Sequence, residues 1–371
     1  MARLLKEVDL VKKIDEPVIG RRTLRRGDFL RMGGAGLAGL ALLGVTSPAL
    51  GLRAAETMIS AHSLGIKPAN TARTNRENLV KALTNSNRKV VFPAGDYRID
   101  NSGTPPIVRN FGGGVSFEAG ARFVFTDNRT KGLVFEGGTG ARFYGLRTTF
   151  STLPPVRVAG NPCLHFIETT DTLIQDVIVN GSAGAGLLFG RCVRPYVEDA
   201  TIRNTRADGL HFAGCGDVRV NKLRTNNTGD DGLAFLDYGG ATLHGGYATD
   251  IEVQHAEARG ISVVGQRDVE ISDFLIAGTT GAGIYVAHEV SYSTGTPRNV
   301  HYHDGEVVRA GTIVEADGRV GANRYSIFYN GVTDLIRFSR IVSRCPAVDH
   351  VRTGGQSSKA TLTDITKSNT C

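Results

Sequence analysis

From residue 163 onward, apolar and polar positions alternate in short runs that are broken by glycine, asparagine and aspartate. One five-residue frame recurs: a small or charged residue, glycine, apolar, any residue, apolar. It reads AGLLF from Ala185, DGLHF from Asp208, DGLAF from Asp231, RGISV from Arg259 and AGIYV from Ala282. The frame glycines stand at 186, 209, 232, 260 and 283, in steps of 23, 23, 28 and 23 residues, and CLHF at Cys163 extends the series back by another 23. Between the frames run longer alternating segments such as DTLIQDVIVNG, PYVEDATIRNT, DVRVNKLRTNNT and DVEISDFLIAGT. Alternation of period two, bounded by turn formers, predicts two or three short strands per unit.

No unit holds a helix for a βαβ crossover, which excludes a Rossmann fold or an α/β barrel. A unit of about 23 residues is also too short for a propeller blade of roughly 40 or more. The fold that remains is all-β: a single-stranded right-handed parallel β-helix, each coil stacked about 4.8 Å from the last. Cys192 and Cys215 then occupy one place on adjacent coils, within disulfide reach or as an inert stacked pair. Asn204-Thr205 and Asn227-Thr228 are also 23 apart and predict side-chain ladders at a corner. An open first coil exposes unpaired strand edges, so a cap is expected over residues 56–90. TNRENLVKAL supplies a short helix for it, with Thr74 and Glu77 in a capping-box pattern and Leu79, Val80 and Leu83 on one face. The next segment, KVVFPAGDYRI, resembles the first coil of the pectin-lyase-like superfamily, and that resemblance covers nearly all of residues 56–371.

In this register Asp208 and Asp231 are equivalent residues on neighbouring coils, and Asp230 stands beside Asp231. Like charges stacked in one column are costly unless a proton is shared or a ligand compensates, so one carboxyl should be shifted upward. Carboxyls in unequal protonation states are what glycosidic cleavage requires, one to protonate the leaving oxygen and another to handle water.

RNTRADGLHF followed by NNTGDDGLAF is similar to the core of the inverting β-helix glycoside hydrolases. These are the polygalacturonases (family 28) and, closer in wording, the mycodextranase and α-1,3-glucanase group (family 87). In both, a lone Asp precedes an Asp-Asp pair by just over twenty residues. The resemblance implies Asp230 as general acid, with Asp208 and Asp231 holding and deprotonating the attacking water. ARGISVVGQRDVEI also looks like the following coil of the second group. Where polygalacturonases have Gly-His-Gly this chain has Ala258-Arg259-Gly260, and where they have Arg-Ile-Lys it has Tyr285-Val286-Ala287. Without those basic groups the resemblance implies a neutral, α-glucan-like polysaccharide and not a galacturonan.

Arg259 follows Asp231 in the same column, where it either tunes the acids or forms a structural ion pair. His211 and Tyr285 take the outward position of their coils, and a sugar can rest on the Tyr285 ring. Arg259, His211 and Tyr285 are therefore the expected substrate-binding residues, while His255 reads as structural. The extra residues around LDYGGATLHGG and at HEVSYSTGTPR flank the acid-bearing coils, where loops build groove walls.

The net charge of +7 sits mostly in residues 1–55, which hold 10 of the 43 Lys/Arg and 5 of the 36 Asp/Glu. The rest is near neutral, which argues against nucleic acid as a partner. Within 1–55, Arg25-Arg26 ahead of Phe29-Leu30-Arg31 and the apolar run AGLAGLALLGV resemble a twin-arginine export signal, the run being too short to span a bilayer. The expectation is a secreted or extracytoplasmic enzyme, free of the membrane once the signal is cleaved. In an oxidising compartment five cysteines permit disulfides and leave at least one thiol over. No CxxC, HExxH, EF-hand or GxxxxGK pattern occurs, so neither metal nor cofactor is expected. Two other readings compete with the hydrolase. One is a polysaccharide lyase or epimerase on a uronate polymer; the other is a non-catalytic carbohydrate-binding β-helix whose Asp pair is a corner ladder.

Overall fold

In the computed structural model, which describes residues 58–314, 318, 320–355 and 358–371, the alternating runs are strands of two parallel sheets. The short runs of the glycine frames, including Leu187–Gly190, Leu210–Ala213, Leu233–Leu236, Ile261–Val264 and Ile284–Ala287, pair in a sheet of ten strands. The longer runs, including Tyr196–Thr205, Val218–Thr228, Gly246–Ala256 and Arg267–Thr279, lie in a sheet of fifteen. Leu187 pairs with Leu210, Leu210 with Leu233 and Leu233 with Ile261. The sequence period is therefore the strand register itself, and the chain is a parallel β-solenoid.

Each long strand bends once at a left-handed residue, and those residues form a column: Asp176, Asp199, Lys222, Asp250, Asp273 and Asp304, with φ from 51° to 60°. Most are aspartates, whose short polar side chain tolerates this conformation better than a branched one. A second left-handed column at the next corner contains Asn204, Asn227 and His255. There Asn227 Nδ2 donates to Asn204 Oδ1 at 2.8 Å, and Asn204 donates to Asn180 at 2.8 Å, so the expected ladder is present. His255 is a corner residue, in keeping with its structural reading.

The inward positions build one continuous core. Phe135, Phe166, Phe189, Phe212 and Phe235 stack face to face with centroids 5.2, 4.8, 5.1 and 5.3 Å apart, close to the strand spacing. The frame glycines are required by crowding. A Cβ at Gly232 would lie 2.4 Å from Val253 Cγ1 and 2.8 Å from the Gly260 carbonyl oxygen, and one at Gly209 would lie 2.6 Å from the Gly232 oxygen.

Helix Ala72–Leu83 is present, but its N-cap is Thr71, whose side chain accepts from the Thr74 amide at 3.1 Å. Glu77 does not reach back in a capping box; it pairs with Arg73 at 3.0 Å, because the helix begins three residues earlier than the sequence pattern suggested. Leu79 and Leu83 face the core, joined by Ala82, while Val80 is half-buried. Cys192 and Cys215 are free buried thiols, the Cys192 amide donating to Cys215 Sγ at 3.3 Å; the disulfide joins Cys345 to Cys371. The described residues after Ala55 belong to one unit running to Cys371, and the expected export signal lies outside the described residues.

Candidate functional site

The acids sit at the corner that leads into the short sheet, and the corner is built by hydroxyls. Thr205 Oγ1 donates to the Ala207 carbonyl at 2.7 Å and Thr228 Oγ1 to the Asp230 carbonyl at 3.2 Å, closing the same turn on successive coils. The parallel ladder then continues through the acid column. The Gly186 amide donates to the Asp208 carbonyl at 2.9 Å, Gly209 to Asp231 at 2.8 Å and Gly232 to Arg259 at 3.0 Å. Asp208, Asp231 and Arg259 are thus consecutive steps of one column, as the 23-residue spacing predicts, with Asp230 beside them.

The three carboxylates each place an oxygen within 4.8 Å of the other two. Their surroundings differ. Asp208 is 8% exposed; its Oδ2 bonds His211 Nδ1 and its Oδ1 accepts the Asp231 amide at 3.0 Å. Asp231 is 4% exposed; its Oδ2 accepts from Ser262 Oγ at 2.5 Å and its Oδ1 from the Arg259 amide at 3.1 Å. Asp230 is the most open of the three and meets Arg157 at 2.7 Å and Arg259 at 3.4 Å. Arg259 also reaches Asp231 at 3.3 Å and Glu289 at 3.2 Å.

These surroundings separate the proton affinities. Burial works to raise Asp208, but the hydrogen bond and charge of His211, with the Asp231 amide and Arg157, outweigh it and hold it below the usual carboxylate range. Burial raises Asp231 well above that range; Arg259 opposes, and the charges of Asp230 and Asp208 reinforce the rise. The trio therefore holds an acid and a carboxylate side by side. Its oxygens are close enough to share a cation, but Arg157 and Arg259 already supply positive charge there.

Arg259→Gln should cost about 2 kcal/mol at pH 7, less than the ~3–5 for a wholly buried pair because its side chain is 28% exposed. Without Arg259 the folded-state pKa of Asp231 rises further above its unfolded value of about 3.9. The associated stability is present below that pH and lost as pH climbs towards the folded value, so urea midpoints should diverge at pH 7 and converge near pH 4. An equal loss at both pH values would show that only packing was removed.

The acids form the floor of a groove of about 370 Å³. Three of its walls come from loops that lengthen the coil. Arg157 lies in the segment between Phe150 and Cys163, where the step from Leu133 to Leu164 takes 31 residues. Arg206 ties this segment down by donating to the Pro154 carbonyl at 2.8 Å. Tyr238 comes from the 28-residue coil, and Glu289 and Tyr292 from the loop after Ala287. These last two loops touch: the Gly295 amide donates to the Asp237 carbonyl at 3.1 Å. A further excursion between Val308 and Tyr325 brings Ala322 against Gly281 on the same corner.

Asp208, Asp230, Asp231, His211 and Arg259 therefore converge, and Tyr285 does not offer the open ring expected of it. It is 4% exposed, with Arg259 Cζ 4.6 Å above one side, Phe328 stacked at 5.7 Å, and its hydroxyl bonded to Glu289 at 2.8 Å. The exposed rings at the groove are Tyr238 and Tyr292, at 52% and 65%. Tyr238 stacks beside His211 at 6.4 Å, and burial with the nearby acids pushes its hydroxyl up to about 12. Sequence reasoning located both insertions but not which of their residues face the acids. The Arg157 insertion was legible too, had the frame been carried back to GLVF at Gly132.

A family model described as right handed beta helix region matches residues 155–294. No curated protein matches the chain. Among solved structures, the chain is similar to the A-module of a mannuronan C-5 epimerase from Azotobacter vinelandii, with TM-score 0.57, 11% identity, and coverage of 84% of this chain and 95% of that one. It is also similar to the catalytic domain of a GH87 α-1,3-glucanase in complex with nigerose, at TM-score 0.59 and 15% identity. There 87% of this chain aligns, spanning just under two thirds (66%) of the glucanase chain. A polygalacturonase from Erwinia carotovora ssp. carotovora gives TM-score 0.57 and 13% identity, over 82% and 92% of the two chains. At these identities the likeness is one of fold: a right-handed parallel β-helix of the pectin-lyase-like kind.

Proposed function

We propose that this chain is an exported glycoside hydrolase that cleaves a neutral, α-glucan-like polysaccharide. The observation that carries the reading is the trio of carboxylates in unequal environments on the floor of a groove. Asp230, the most open of the three, is the group that reaches a glycosidic oxygen and protonates it. Asp208, oriented by His211, holds the attacking water, and Asp231, whose proton affinity is raised, is the stronger base beside it. Charge in the groove supports a neutral substrate. Both arginines there are already paired with Asp230, Asp231 or Glu289, which leaves neither free to grip a uronate.

Inversion is carried over from the resemblance of the aspartate pattern. The closest carboxylate oxygens lie within 4.8 Å, and inversion usually has its two carboxyls ~6.5–9.5 Å apart. Water must then sit over Asp208 and Asp231, not between the acid and the base. One feature favours a lyase or epimerase acting on a uronate: Arg157 enters from a loop with 54% of its side chain exposed, so a carboxylate can displace Asp230 from it.

A screen of dextran, α-1,3- and α-1,4-glucans, arabinan, pectin and alginate separates these readings. The hydrolase reading expects new reducing ends on a neutral glucan, no absorbing unsaturated product, and the inverted anomer first by proton NMR. The retained anomer first would replace inversion by double displacement. Unsaturated or epimerised uronate would overturn the hydrolase reading.

A further inference from the structure

A second groove, of about 790 Å³, opens at the start of the long sheet, away from the acids. Tyr196, Arg219 and Tyr247 line it from successive coils: Tyr196 pairs in register with Arg219, and Arg219 with Tyr247. Tyr247 is 44% exposed, Tyr196 half-buried, and Arg219 has no acid at ion-pair distance among the described residues. The corner beside them carries Asp171, Arg194, Asp217, Gly245 and Asp268, with Arg194 and Asp171 paired at 2.6 Å. Gly245, at φ 96°, leaves the rim between Asp217 and Asp268 without a side chain. It belongs to the same lengthened coil that presents Tyr238 to the acid groove.

The chemistry suits an extended, uncharged sugar chain. Successive outward residues are about 4.8 Å apart along the solenoid, close to the rise of one pyranose in an extended glycan. Two tyrosines two coils apart therefore meet every second sugar, with their faces available to its C–H side. The guanidinium between them offers donors to ring hydroxyls. Arg142, Arg194 and Arg219 balance Asp171, Asp217 and Asp268, so the groove has no net charge to attract a polyanion.

We infer that the Tyr196–Arg219–Tyr247 groove is a non-catalytic binding site for an extended neutral polysaccharide, holding the polymer while the acid groove works on it. This rests on the polysaccharide reading above, but its test needs no turnover. Retention of the full chain on insoluble glucans and on alginate is measured for the wild type, Tyr196→Ala/Tyr247→Ala and Tyr247→Phe. The double alanine variant is expected to weaken retention on a neutral glucan about ten-fold, while Tyr247→Phe, which keeps the ring, holds it. Cleavage of a short soluble oligosaccharide should be unchanged in both variants, because the acid groove is intact. Unaltered retention in the double variant would overturn the inference, as would retention on alginate alone, or no retention on any glycan. If tyrosine-dependent retention is found and nothing is cleaved, the hydrolase reading falls and this site stands.

Discussion

Asp230→Asn is expected to lower turnover of the responsive glycan by about 10²–10⁴-fold, the usual contribution of a general acid, with the melting temperature almost unchanged. The amide keeps the carboxylate's shape, and its oxygen can still accept from Arg157, which sits 2.7 Å from the native side chain. Arg259 retains Asp231 at 3.3 Å and Glu289 at 3.2 Å, so the network survives the loss of one charge. What disappears is the proton delivered to the leaving oxygen. An aryl glycoside with an acidic leaving group needs little such help, so on that substrate the variant should lose far less activity. Loss of equal size on both substrates would assign Asp230 a binding role, and full activity on the polymer would remove it from the mechanism. Circular dichroism and a melt of the same preparation distinguish either result from misfolding.

Phe212→Ala is expected to cost about 3–5 kcal/mol, the largest single stability loss among the changes considered. The ring is 0% exposed and lies between Phe189 at 5.1 Å and Phe235 at 5.3 Å, so truncation leaves a void that the fixed coil spacing cannot close. In a solenoid each coil is stabilised mainly by its two neighbours, and this void weakens both interfaces of one coil. The coil also carries Asp208 and His211, so activity should fall along with stability. Urea unfolding should be followed by tyrosine fluorescence and by circular dichroism, because weakened coupling in a repeat array can make the two transitions separate. A loss below about 1 kcal/mol would show that the aromatic ladder adds little beyond ordinary burial.

The frame around Gly209 and Gly232 was legible because a solenoid converts a sequence period directly into a contact. One coil on is always the neighbouring strand, so Asp208 over Asp231 followed from arithmetic, as did the Asn204–Asn227 ladder. Tyr285 was misjudged for a reason the period cannot express. Outward in a strand does not mean exposed once Arg259 and Glu289 close over the ring. Thr71 in place of Thr74 as the helix cap is a smaller case: the capping pattern matched, but the turn at Lys67–Asn70 lets the helix start earlier.

By itself the sequence determined the coil length, the direction of every core-facing residue and the column that stacks the acids. Strand pairing between adjacent coils is local in such a fold, and a period of 23 residues leaves it no freedom. Only the tertiary structure decided what surrounds that column. Arg157, Tyr238 and Glu289 reach the acids from lengthened loops whose residues obey no register, Arg157 lying 73 residues before the Asp230 it pairs with. The opposed shifts of Asp208 and Asp231 arise there too, from the burial and neighbouring charges that the loops and corner supply.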